Sequence, residues 1–388
     1  MNPVDAREVG LDVDRLARVG QAIERDIDAG RCHGVSLVVA RRGRVVVDLL
    51  AGFADQKMGK RLGRDAVFAT MSVGKQLTNV LVLSLVEKGA LRLHTPVADV
   101  LPEFRTLGKE RVNLFHLLTH TSGVASAIPV VPPEVLTDVE KLAGLACGQV
   151  LESLPGERVN YSILVAHSVM AAMCVRADGR GRTFAQMIEE DLFRPLGMRD
   201  TALGPREDLL ARLCPVRAAY TGVGLLAPEA IEGVEQLIRM PGSELPAGGY
   251  LTTIGDLHRF AEMLRGGGEL EGARILSPAT IDYCARNHTG TLRNVLFDAT
   301  AGYRGWDLFP AYIGIGFFVR GEVPTPGPFG VFSSPRTFGG VGAGSTGFWV
   351  DPDRELSCAF LSTGLMEDSH HWERLGTLAD LIVTSMVS

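Results

Sequence analysis

Lysine is nearly absent from this 388-residue chain. There are six, Lys57, Lys60, Lys75, Lys88, Lys109 and Lys141, against 33 arginines. Arginine keeps its charge in proteins, so chemistry that needs an amine able to shed a proton must draw on the residues up to Lys141. Long apolar runs are also lacking. The longest, such as Val80 to Val86 and Gly34 to Ala40, fall far short of the ~20 residues that span a bilayer. Met1 to Gly10 (MNPVDAREVG) carries early acids rather than a signal-peptide core. The expectation is therefore a cytoplasmic protein with no membrane partner. The six cysteines (Cys32, Cys147, Cys174, Cys214, Cys284, Cys358) form no CxxC pair. That spacing argues against a zinc knuckle or a disulfide framework and for reduced thiols. Charge of one sign is missing too. With 39 Lys plus Arg against 45 Asp plus Glu, the net of -6 is too mild to imply a nucleic-acid partner.

What is present is an ordinary globular composition, 46% hydrophobic and 22% charged. The length allows two or three domains or one large two-part fold at roughly 100 to 200 residues per domain. Leu16, Val19, Ile23 and Ile27 recur at helical spacing and predict an amphipathic helix over Leu11 to Ala29. Val35 to Ala40 and Arg44 to Leu50, joined by Arg41-Arg42-Gly43, read as an antiparallel hairpin. Ser72 to Leu91 is helical in pattern, and helices dominate to about residue 200. Ile128 to Pro133 (IPVVPP) cannot extend a helix and reads as a loop. Asp256 to Arg265 reads as a helix and Gly266 to Gly272 as a turn or small hairpin. Strand-like runs follow at Ile313 to Arg320, Gly347 to Val350 and Ser357 to Ser362, then a helix from about Trp372 to Met386. Strands at both ends with helices between predict an α+β fold: one antiparallel sheet flanked by helices, built from residues 1–65 and 240–388, with a mostly helical insertion at 66–239.

The sharpest local feature is Ser72-Val73-Gly74-Lys75. Three-residue spacing puts both side chains on one helical face, and the helix start supplies positive potential near the serine oxygen. A serine hydroxyl is a poor nucleophile until a base takes its proton, and a buried lysine with a depressed pKa can be that base. With 18 serines and six lysines, chance supplies roughly 0.3 such pairs, so the motif needs support. A helix N-cap at Ser72 and a solvated Lys75 is the plain structural alternative. Further on, Pro155 to Ser162 (PGERVNYS) turns Tyr161 into place just before an apolar helix-like run. A tyrosine there is ordinarily a half-buried core residue, but beside an S-x-x-K pair a phenol can shuttle a proton.

Other patterns point elsewhere and fail. His116 and His120 have the i,i+4 spacing of a zinc pair, but Leu117 stands where a zinc-peptidase glutamate would be, and no metal is expected. Gly342, Gly344 and Gly347 form a G-x-G-x-x-G, yet a strand-like run follows where a dinucleotide site needs a helix, so no cofactor is expected. His370-His371-Trp372 reads as a polar, surface start to the last helix. Ser122 reads as a cap or a pocket residue.

In order along the chain, MSVGK, HLLTHTSGV from His116, NYS, PLGM from Pro195, PAGGYLTTIGDLHRFAEML from Pro246, GARILSP from Gly272 and FGGVGAGSTGFWVDP from Phe338 resemble the serine β-lactamase and penicillin-binding-protein superfamily, especially its class C-like carboxylesterases. The resemblance runs from about residue 34 to 355. It implies an α/β sandwich with a helical domain, the site lying between them. It makes Ser72 the acylated nucleophile, Lys75 its base or base partner and Tyr161 the proton shuttle. The family's third motif falls on Gly340-Val341-Gly342, and the amides of Ser72 and Ala343 become the oxyanion hole. Two positions depart from the β-lactamases. Ile163 stands where they have the Asn that holds the substrate amide, and Gly340 replaces the Lys that meets the substrate carboxylate. No realignment rescues the lysine. Ile163 and Gly344 are expected to border the substrate pocket.

These features lead to a serine carboxylesterase acting on a small-molecule ester through an acyl-enzyme. The alternatives are an acyltransferase using the same intermediate with an alcohol or amine acceptor, a weak β-lactamase, or a non-catalytic binding protein on the same fold.

Overall fold

The computed structural model describes residues 2–222, 224 and 226–387. Its main sheet has seven strands: β1 (Gly34–Arg41), β2 (Arg44–Asp55), β3 (Lys60–Arg61), β4 (Phe318–Val319), β5 (Phe338–Gly342), β6 (Thr346–Asp351) and β7 (Leu356–Thr363). They stand in the order β3-β2-β1-β7-β6-β5-β4, each neighbouring pair antiparallel. The β1–β2 hairpin turns at Arg42 and Gly43, with φ of 53° and 75°, the turn geometry that matches strand twist. β1 then zips onto β7, from Gly34 opposite Thr363 to Arg41 opposite Leu356. The two ends of the chain thus meet at the centre of one sheet, as the terminal strands implied.

Five helices place the site: α1 (Val13–Asp28), α2 (Gly74–Glu87), α3 (Val165–Asp178), α4 (Ile254–Arg265) and α5 (Asp368–Val383). Alternation along β1 sends Val35, Leu37 and Val39 into a core shared with Leu16, Val19 and Ile23 of α1 and Leu375, Leu378 and Ile382 of α5. Val38 faces the opposite core, with Leu257, Phe260 and Leu264 of α4 and the apolar residues of α2 and α3. Phe260 meets Phe348 of β6 edge-on, ring centroids 5.4 Å apart. Covered on both faces, β1 is buried along its whole length. Only α1 of these helices reads as a simple amphipathic stripe, capped by the Asp12 carboxylate on the Arg15 amide. α2 is buried from Gly74 to Leu85 and α3 from Val165 to Cys174. A helix buried all round lies inside the protein; α2 reaches solvent at its C-terminal Glu87, and at its other end the preceding turn leaves Ser72 partly exposed.

Several expected spans shift. Helix α2 ends at Glu87 rather than Leu91, and the run Ile313 to Arg320 is a strand only at Phe318–Val319, with an isolated bridge from Ile313 to Phe318. Ile128 to Pro132 is irregular as expected, and one helical turn, Pro133–Leu136, begins at the second proline of the Pro132-Pro133 pair. Glu269–Leu270 and Ala273–Arg274 form the small hairpin. The six cysteines are free, and all but Cys147 are buried. Among the described residues no helix is long and apolar enough to cross a membrane.

Candidate active site

A 3-10 turn, Met71–Val73, leads into α2 and carries Ser72 at its middle. Met71 is held at φ 49°, a conformation that costs energy for a residue with a Cβ and that gathers at functional sites. Gly74 explains how close the neighbouring chain comes. A Cβ there would lie 2.5 Å from the Tyr250 ring and 3.0 Å from the Gly248 Cα. The PAGGY segment can therefore press against the start of α2, and this brings the Ala247 carbonyl to Lys75.

Lys75 is only 1% exposed. Its Nζ lies 3.2 Å from Ser72 Oγ, 2.8 Å from the Ile163 carbonyl and 3.0 Å from the Ala247 carbonyl. Burial pushes its pKa down to about 7, because a charged ammonium is costly out of water. A neutral amine has two N–H bonds and one lone pair. The two carbonyls accept the two N–H bonds, which leaves the lone pair facing the Ser72 hydroxyl.

Tyr161 is buried, and its ring stacks on His120 (centroids 4.4 Å apart) and on Phe318 (6.0 Å). Lys75 Nζ sits 5.1 Å from the centre of the same ring. His120 holds the Tyr161 backbone from both sides: its carbonyl accepts the Asn160 N–H at 2.8 Å and its Nδ1 accepts the Ser162 N–H at 3.2 Å. The Ser162 hydroxyl donates to the Ala125 carbonyl and caps α3 through the Ala166 N–H. The HTSG and NYS segments are thus one unit. Burial holds the Tyr161 phenol well above its usual range, opposed by a hydrogen bond with Ser72. Burial, aided by the Lys75 charge, drives His120 down to about 3. Near neutral pH the phenol and the imidazole are both uncharged, and Lys75 is the group in this cluster that titrates there.

The third-motif strand closes the site from the sheet. β4 pairs with Phe338 and Gly339, and among the described residues this edge of β5 carries no strand partner from Gly340 onward. The end of β5 is tied to the turn that carries Ser72: Thr346 Oγ1 donates to the Thr70 carbonyl at 2.7 Å, and a Cβ at Gly342 would lie 2.9 Å from Met71 Cβ. Ala343 follows and, like Ser72, is partly exposed. Val341 is buried. A side chain at Gly340 would have to displace Gln76, because a Cβ there would lie 2.5 Å from Gln76 Cδ. The Gln76 amide fills that corner, and because carbonyls can only accept, its nitrogen is assigned to the side facing the carbonyls of Ser72 (3.2 Å) and Val73 (3.3 Å). Ile163 is half-buried, and its backbone serves the site: the N–H donates to Ser126 and the carbonyl accepts from Lys75. Gly344 is buried at φ 62°, where a Cβ would overlap the Met366 carbonyl.

The structure overturns one reading outright. His370 is exposed, but His371 is 0% exposed, with Nε2 2.9 Å from the Thr346 carbonyl. The polar letters of HHW concealed a helix that starts at Asp368, four residues before Trp372, and turns His371 inward. His116 forms a capping box with Asn113, and Ser122 is buried with its Oγ accepting the Val124 N–H. Gln76, Ala247 and Phe318 were not picked out from sequence. Gln76 left no distinct signal there, because Thr78, Asn79 and Ser84 are buried polar residues of the same helix.

The Beta-lactamase family model matches residues 19–380. Penicillin-binding protein 4 of Amycolatopsis lactamdurans is 30% identical, the match covering 80% of this chain and 81% of that protein. Esterase EstB of Burkholderia gladioli is 33% identical over 51% of this chain and 54% of its own length. The crystal structure of a family VIII carboxylesterase superposes with a TM-score of 0.78 at 21% identity, covering 97% of this chain and 99% of the other.

Proposed function

This chain belongs to the beta-lactamase family, and from that premise we propose that it is a serine carboxylesterase working through an acyl-enzyme at Ser72. The observation that carries the reading is the three-way engagement of Lys75: two carbonyl acceptors and, on its remaining side, the Ser72 hydroxyl at 3.2 Å. That arrangement suits a neutral amine acting as general base, and the pKa of about 7 keeps much of it neutral at physiological pH.

Ser72 Oγ attacks the ester carbonyl as its proton passes to Lys75, with the Tyr161 phenol beside both groups as a relay. The carbonyl oxygen becomes an oxyanion facing the amides of Ser72 and Ala343. When the intermediate collapses, the C–O bond to the alcohol breaks and the proton returns from Lys75, by way of Tyr161, to the departing oxygen. Water then attacks the acyl-enzyme with the same base assisting, releasing the acid and restoring Ser72.

An ester fits better than a β-lactam. The third-motif lysine that would meet a substrate carboxylate is absent, and its place at Gly340 is taken by the Gln76 amide, itself bound to backbone carbonyls. Gln76 offers no charge to a carboxylate. The test is hydrolysis of short-chain nitrophenyl esters beside benzylpenicillin, with mass spectrometry after fluorophosphonate treatment. Expected are ester turnover, an adduct on Ser72 and penicillin hydrolysis at least about 10²-fold slower. Ester turnover that survives Ser72→Ala, or penicillin as the faster substrate, would overturn the proposal.

A further inference from the structure

Three residues on the inner face of α5, Asp368, His371 and Arg374, lie at helical spacing and are 6%, 0% and 6% exposed. All three reach the turn between β5 and β6. Asp368 Oδ1 accepts the Gly344 N–H at 3.1 Å. Arg374 Nη2 donates to the Gly344 carbonyl (3.2 Å) and to Ser362 Oγ (3.1 Å). His371 Nε2 lies 2.9 Å from the Thr346 carbonyl, and its Nδ1 lies 2.7 Å from Arg374 Nη2. Because a carbonyl can only accept, Nε2 carries the ring proton and Nδ1 is free to accept from Arg374. The Met366 N–H adds a second donor to the Gly344 carbonyl at 2.9 Å. Gly344, the residue after Ala343, is therefore gripped at both its N–H and its C=O by one helix.

Packing economy does not explain this arrangement. Burying ionisable groups is costly, and apolar residues of similar size would usually serve stability as well or better. Leu375, Leu378 and Ala379 of the same helix show what stability alone selects there. The clamp also leaves the buried Asp368 Oδ2 without a hydrogen-bond partner among the described residues, a further cost. The feature these contacts share is the geometry of the turn that presents the Ala343 amide.

We infer that Asp368, His371 and Arg374 are positioning residues that fix the Gly342–Thr346 turn and so aim the Ala343 N–H at the oxyanion. The inference rests on the acyl-enzyme reading above. Burial and the neighbouring Glu367 carboxylate raise the Asp368 pKa to about 7, against the pull of the Gly344 N–H. The clamp therefore places less than a full negative charge beside the oxyanion it supports.

The test is kcat and KM for a nitrophenyl ester, expressed per reactive serine after exhaustive fluorophosphonate titration, so that unfolded chains drop out of the rate. Asp368→Leu removes the acceptor for Gly344. Its kcat should fall on the order of tenfold to a hundredfold, with KM within about twofold of wild type, because the interaction lost acts in the transition state. Asp368→Asn keeps an oxygen for the Gly344 N–H and should recover most of the loss. Arg374→Met, which conserves volume, should show the same kcat-selective fall and carries the test should Asp368→Leu fail to fold. Wild-type kcat per site in Arg374→Met and Asp368→Leu, or a loss in Asp368→Asn equal to that in Asp368→Leu, would overturn the clamp. A wild-type enzyme that neither turns over esters nor takes a label on Ser72 would instead overturn the acyl-enzyme reading.

Discussion

On the α2 side of Ser72 the working groups are side chains: Lys75 one helical turn away, and Tyr161 held against His120 and Phe318. On the sheet side the proposed working group is backbone, the Ala343 amide, and the neighbouring Gly344 is bonded by α5 residues 24 and 30 positions further along. The first half must move a proton, which needs a titratable group, and burial makes Lys75 that group. The second half must not move at all, since an oxyanion hole works by being in place before charge develops. Side-chain chemistry is written in the letters of a motif, whereas backbone geometry is written in whatever packs against it.

Substitutions can break this contrast, and they rank by expected effect. Ser72→Ala should lower ester turnover by at least about 10³-fold, since the covalent route is lost; turnover of nitrophenyl acetate measures it. Lys75→Ala should cost on the order of 10² to 10⁴-fold, and Lys75→Arg should not recover it, because a guanidinium cannot give up its proton. Tyr161→Phe keeps the ring that stacks on His120 but removes the relay. It should cost roughly 10²-fold in kcat with little change in melting temperature.

A smaller effect sharpens the account of the third-motif corner. Gly340→Ala forces a Cβ into Gln76 and should destabilise by about 1–3 kcal/mol. Gln76→Ala in the same chain should return most of that, giving a coupling visible in a double-mutant cycle of urea unfolding. Additive losses would show that Gln76 does not fill the space left by Gly340.

Stability carries a pH signature of its own. Lys75 has a folded pKa of about 7 against an ordinary 10.5, so between these values the unfolded chain binds more protons than the folded one. Stability contributed by this site therefore rises with pH through that window and is lowest below about pH 7. Lys75→Met should raise the melting temperature more at pH 6 than at pH 9.5. Equal shifts at both would mean that Lys75 is not forced to stay neutral by burial.

The contrast also explains what could be read from sequence. Ser72, Lys75 and Tyr161 stood out in the sequence because acyl-transfer chemistry calls for those residue types at that spacing, and the fold brings the three side chains together. The terminal strands were legible as short β-rich runs, the first two joined by a Gly-containing connection, and Gly34 to Arg41 does pair with Leu356 to Thr363. The strand at Ile313 to Arg320 was overread, since apolar letters there serve packing around Phe318 more than a ladder. His371 was misread because a polar pair at a helix start resembles solvent-facing sequence. Its distance from Asp368 and Arg374, three residues on either side, was the overlooked sign. The filling of the Gly340 corner by Gln76 depends on a contact between residues far apart in the chain, which no local pattern reports.

The central claim is that Lys75 acts as a neutral base towards Ser72, and the pH dependence of kcat/KM for a non-ionising ester tests it most directly. The account predicts a rate that climbs with pH through an apparent pKa near 7 and then levels, with that limb gone in the residual activity of Lys75→Ala. A profile flat between about pH 5.5 and 8.5, or a limb near 7 that persists without Lys75, would contradict it.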